Sequence, residues 1–234
     1  MSDPCIAFIR ETTLLSDVLV EQYVEAQKIQ IARDFEPAWS AGATCVFVPP
    51  GGTIPAGAWQ VVFLDHSDQA DALGYHDTTA PGGMPRSKVF VADDLESGNS
   101  WTVTASHETL EMLADPDISK TTRVSLPDGT INEYAWEICD CCEDDRFAYP
   151  IKGIHLSDFA LPSWFDPAAD GPYTFRDTVD APLALAEGGY IGVHEVSPLV
   201  TPWQQCMARG EPGSRTAKGA ASRTSRRFSG AGEG

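Results

Sequence analysis

The order of the apolar runs between residues 5 and 114 constrains this chain most. Cys5–Ile9 (CIAFI), Ala43–Val48 (ATCVFV), Trp59–Leu64 (WQVVFL) and Lys88–Ala92 (KVFVA) are short and rich in β-branched and aromatic residues, with turn formers or charge near their ends. Each predicts a strand. Two longer stretches carry helical spacing instead. In Ser16–Phe35, Val20, Val24, Ile31 and Phe35 fall near one face, Ser16 or Asp17 can cap the start, and Pro37 ends the run. In Trp101–Ala114, Ser97-Gly98-Asn99-Ser100 precedes the first turn and Asp115-Pro116 stops the last. The expected order is β-α-β-β-β-α, a mixed α+β architecture. Lys88–Ala92, with Pro85 and Arg86 beside it, has the marks of an edge strand, and the Gly74-Tyr75-His76-Asp77 segment reads as loop.

The second half is looser and rich in Trp, Pro and Gly. It predicts a short helix at about Glu133–Glu143, a late strand near Tyr190–Val196, and core packing at Trp164-Phe165. Residues 1–208 read as a single domain, with the sheet and main helices in 1–118 and an irregular subdomain in 119–208. From Arg209 onward the chain is Gly, Ala, Ser and Arg rich, which predicts a disordered tail over 209–234. Six basic residues there stand against two acidic ones, a net of +4. The whole chain carries −18, so residues 1–208 carry −22. An acidic body argues against nucleic-acid binding outside the tail, whereas the basic tail can dock an acidic partner or nucleic acid. No run of 18 apolar residues is present, which excludes a membrane-spanning helix, and no secretory signal is visible at the N-terminus. Six cysteines, three of them crowded into Cys139-Asp140-Cys141-Cys142, form no disulfide-scaffold pattern and predict free thiols. A cytoplasmic setting or a place in a phage particle is expected.

Chemistry concentrates in His107-Glu108-Thr109-Leu110-Glu111. On a helix, His107 and Glu111 stack one turn apart on one face, and Glu108 lies about 100° around the axis. This is the geometry of the HExxH zinc helix, with two ligands on successive turns and a Glu placed to take a proton from metal-bound water. Glu at the second ligand position makes the motif HExxE.

With that helix following the expected strands, the chain resembles the zincin-type metallopeptidases. More narrowly, it resembles a family of uncharacterised bacterial and phage-borne proteins in which GYHD, KVFV, SHExxEMLxDP, ExCD and SDFxLPxWF occur in this order, over about residues 5–206. The resemblance implies a zincin-like mixed sheet above the metal helix. The zincin resemblance implies a metal-dependent, peptidase-like hydrolase with Glu108 as general base, and with His107, Glu111 and Glu137 or Asp140 as ligands, while the narrower one brings no activity with it. An extended peptide substrate would pair with the edge strand Lys88–Ala92. Zinc is the expected ion, and carboxylate ligation opens the site to Mn²⁺ or Ca²⁺.

Asp117 competes for the third ligand position, because one zincin branch places that ligand shortly after the helix. That branch also needs Gly at the helix exit, where this chain has Ala114, so Glu137 and Asp140 are preferred. His76 can line the cleft, and Tyr149 and His155 can serve an oxyanion. Cys139, Cys141 and Cys142 match structural zinc spacing poorly. The alternative function is a zincin-like scaffold without turnover, serving as a structural or binding component of a larger assembly such as a phage particle.

Overall fold

Alternation along the central strands decides the architecture. In β1 (Cys5–Arg10), Ile6 and Phe8 join one apolar cluster while Ala7 and Ile9 join another on the opposite face. β3 (Trp59–Leu64) repeats this with Val61 and Phe63 against Val62. The larger cluster lies on the face that carries the helices and the C-terminal half. The computed structural model describes residues 3–68, 72–78, 83–126, 128–196 and 203–207. The expected tail, 209–234, lies outside the described residues.

Five strands form the main sheet in the order β2 (Thr44–Val48), β1, β3, β5 (Pro85–Phe90), β4 (Gly74–Thr78). All are parallel except β4, which runs antiparallel to β5. The edge strands are therefore β2 and β4, the latter being the GYHD segment expected to be loop, and KVFV lies inside the sheet. Pro85 is tolerated there as the first residue of its strand. Lys88 carries its charge out to Asp68 and lays its ammonium 5.3 Å from the Tyr75 ring centroid. Val91 and Ala92 belong to a short helix, α3 (Val91–Glu96), rather than to the strand.

Helix α1 (Asp17–Ile29) is capped by Ser16, whose hydroxyl accepts from the Leu19 amide. It does not stop at Pro37. A π-helical turn over Gln30–Phe35 leads into α2 (Glu36–Trp39), which takes Pro37 at its start. Helix α4 (Trp101–Ala114) has the span its pattern predicts, and every residue from Thr102 to Ala114 is buried. It packs on β4 and β5 on one side. On the other it meets the hairpin of β8 (Tyr149–Ile151) and β9 (Ile154–Leu156), and the Ser157 amide donates to Ser106 Oγ at 2.6 Å.

The expected helix at 133–143 is absent. Ile131–Ala135 is strand β7, central in an antiparallel sheet ordered β11 (Gln204–Met207), β10 (Tyr190–Glu195), β7, β6 (Thr121–Ser125). The 3-10 turn at Asp140–Cys142 follows it. Pairing on both sides outweighs the helical spacing of Glu133, Glu137 and Asp140. Trp164 and Phe165 are buried as expected. Among the described residues, no helix is long and apolar enough to cross a membrane.

Candidate metal centre

The centre is built where α4 passes between the edge of the main sheet and the turn after β7. His107 and Glu111, one helical turn apart, face that turn, with His107 Nε2 3.4 Å from Glu111 Oε1 and 3.1 Å from Asp140 Oδ1. The Cys139 amide donates to the same Glu111 oxygen at 3.1 Å. The turn is fixed by the Ala160 amide on the Ile138 carbonyl and by the Ala186 amide on the Cys141 carbonyl. A Cβ at Gly189 would stand 2.3 Å from the Cys141 oxygen, so only glycine lets the strand-leading segment lie this close.

Glu108, around the helix from His107, faces β4. Its Oε2 is 3.5 Å from His76 Nδ1, which also lies 3.7 Å from Glu111 Oε2. Gly74 and His76, alternate residues of β4, point toward α4, while Tyr75 between them packs on Phe90 across the strand.

Among the described residues, three sets of donor atoms each lie close enough to surround one ion: His107, Glu111 and Cys139; His107, Asp140 and Glu143; and His76, Glu108 and Glu111. All seven residues are buried. Imidazole nitrogen, carboxylate oxygen and thiol sulfur form a donor set suited to a divalent transition metal. Four carboxylates enclosed with two histidines also leave an excess of buried negative charge that a cation would offset. Burial opposes charging of His107, but Glu111, Asp140 and Glu108 around it outweigh that and hold its pKa well above the ordinary value. Burial, then Glu111 and Asp140, push the Cys139 thiol well above its usual range.

The structure thus brings His107, Glu108, Glu111 and Asp140 to one centre. Asp140 arrives from a 3-10 turn rather than a helix face. Glu137 is buried nearby and belongs to none of the three sets, and Asp117 is exposed in the turn after α4. The buried carboxylate at the helix exit is Asp115, which accepts from the Ser119 and Lys120 amides. Tyr149 donates instead to Asp34 Oδ2 at 2.9 Å, and His155 is exposed. Three members lacked a compelling local signal: His76, read mainly as a loop histidine; Cys139, in a poor zinc spacing; and Glu143, in an acidic run. Cys5, Cys45, Cys139, Cys141 and Cys142 carry no disulfide, and the sulfurs of Cys141 and Cys142 lie 3.9 Å apart.

Comparison with protein-family models, curated proteins and solved structures finds no match to the chain.

Proposed function

We propose that the chain is a metal-dependent hydrolase of peptide bonds on a zincin-like scaffold. The observation that carries this is the placement of His107 Nε2 between Glu111 Oε1 and Asp140 Oδ1, with the Glu108 carboxylate on the adjoining face of the same helix. His107 would hold the ion with Glu111 and Cys139 on one side, or with Asp140 and Glu143 on the other. A bound zinc or manganese ion would supply Lewis acidity to a water and a substrate carbonyl. Glu108 accepts the proton of the attacking water and passes it to the departing amine. His76 Nδ1 stands 3.5 Å from that carboxylate. The edge strand beside α4 that an extended peptide would pair with is β4, since KVFV lies inside the sheet.

Glu108 is 1 % exposed, so a peptide reaches it only after a covering segment moves. That burial favours a second reading, in which the ion serves stability alone. Glu108→Gln separates the two. Under the hydrolase reading it retains metal and loses at least about 100-fold in cleavage of a diverse peptide library. A metal-loaded parent chain that cleaves nothing in that library supports the second reading.

A further inference from the structure

We propose that the chain binds a second divalent cation beside the first, on His76, Glu108 and Glu111, with Glu111 bridging the two ions. The carboxylate of Glu111 is shared between two directions. Its Oε1 faces His107 Nε2 at 3.4 Å and the Cys139 amide at 3.1 Å, whereas its Oε2 faces His76 Nδ1 at 3.7 Å. Glu108 Oε2 approaches the same imidazole nitrogen at 3.5 Å. These two separations exceed an N–H···O hydrogen bond, which spans about 2.7–3.2 Å. They are close to the spacing of two ligands on one ion, because metal–ligand bonds of about 2.1 Å at tetrahedral angles put the ligand atoms about 3.4 Å apart.

The position is built into the fold rather than assembled from surface groups. His76, Glu108 and Glu111 are at most 3 % exposed. In register, His76 pairs with Ser87 of β5, and Ser87 Oγ donates to the Glu108 carbonyl at 3.2 Å, so β4, β5 and α4 are tied together at this level. Gly74 lets the helix come this near, since a Cβ there would stand 3.0 Å from Glu108 Cγ. The donors are one nitrogen and carboxylate oxygens, without the sulfur available to the first ion, so the second position suits Mn²⁺ or Zn²⁺.

A consequence rests on the hydrolase reading: Glu108 cannot accept a proton while its carboxylate holds an ion. Excess metal therefore fills the second position and suppresses cleavage.

The test is a titration of the full, metal-free chain with Zn²⁺, counted by elemental analysis after desalting, and with Mn²⁺, followed by electron paramagnetic resonance. The parent should take about two ions per chain, and at that loading the Mn²⁺ spectrum should show spin coupling through the shared carboxylate. His76→Gln should take about one ion and lose the coupling. The parent alone decides the matter if that variant does not fold. One ion per chain, or two without coupling, overturns the proposal, as does a folded His76→Gln that still takes two. Two coupled ions with no peptide cleavage would leave the second site standing and remove the hydrolase reading. One ion with cleavage that depends on Glu108 would do the reverse.

Discussion

A methyl group at Gly74 would lie 2.8 Å from Thr104 Cγ2, 3.0 Å from Glu108 Cγ and 3.0 Å from the Lys88 carbonyl oxygen. Gly74→Ala must push α4 off the edge strand, and should cost about 1–3 kcal/mol in urea unfolding, the usual range for overpacking. An unchanged midpoint would show that the helix is not seated on β4 as described. Asp158 offers a test by pH. Burial pushes its carboxyl up to about 6, against lowering by hydrogen bonds from the Phe159 amide, the Thr178 hydroxyl and the Arg176 amide. The folded state holds this proton more tightly than the unfolded chain does. Its contribution to stability is therefore complete below about pH 4 and lost as pH rises through about 6. Asp158→Asn cannot ionise, so it should gain on the parent between about pH 4 and 7, by up to about 3 kcal/mol. Parallel stability curves for the two proteins would show that Asp158 titrates like an exposed carboxylate. The same scale explains what the sequence made legible at the site. His107, Glu108 and Glu111 belong to one helix, so their spacing alone fixes their relation. His76 and Cys139 reach the site from separate elements, by sheet pairing and a turn that no local spacing encodes.

Among the elements, the wide turn at Gln30–Phe35 shows most clearly how polar groups shape the core. Tyr23 donates to Gln27, Gln27 donates to Gln30, and the Gln30 amide donates to Tyr149 Oη at 3.1 Å and the Ser157 carbonyl at 2.9 Å. Tyr149 in turn donates to Asp34. This buried chain ties α1 and its π-helical extension to the hairpin that backs α4. Gln30→Ala leaves buried partners unmade on both sides and opens a void, and should cost about 3 kcal/mol by chemical denaturation. A cost under about 0.5 kcal/mol would mean the chain of bonds is not holding these elements together. Such long-range pairing is also what no local stretch of sequence spells out. β1, β2, β3 and α4 were legible because each is a self-contained apolar pattern with clear ends. The interior place of β5 was not, because Pro85 and Arg86 carry the marks of an edge and only the pairing of Gly74–Thr78 beside them reverses it. Likewise Glu133, Glu137 and Asp140 have helical spacing, and only β6 and β10 on either side make Ile131–Ala135 a strand.

At the scale of the whole molecule, the net charge of −18 divides into a dispersed share and a buried share. The dispersed share is partly matched by surface pairs such as Arg123–Glu133 and Arg146–Glu187, which add little to stability because water and salt screen them. Part of the buried share, at Glu108, Glu111, Asp140 and Glu143, is enclosed with His76 and His107 and lies beyond such screening. A cation that binds this arrangement in the folded chain but not in the unfolded one stabilises the fold by mass action, by about 4 kcal/mol at a free concentration 1,000 times its Kd. For a chain of this length that corresponds to a rise in Tm on the order of 10 °C. Stripping the protein with a chelator should lower Tm by that much, and returning Zn²⁺ or Mn²⁺ should restore it, as read by differential scanning calorimetry. His107→Ala should remove most of this metal-dependent increment, because two of the three donor sets include its imidazole. A parent protein whose Tm is the same with chelator and with saturating metal would show that the buried carboxylates are kept by protonation and hydrogen bonding alone.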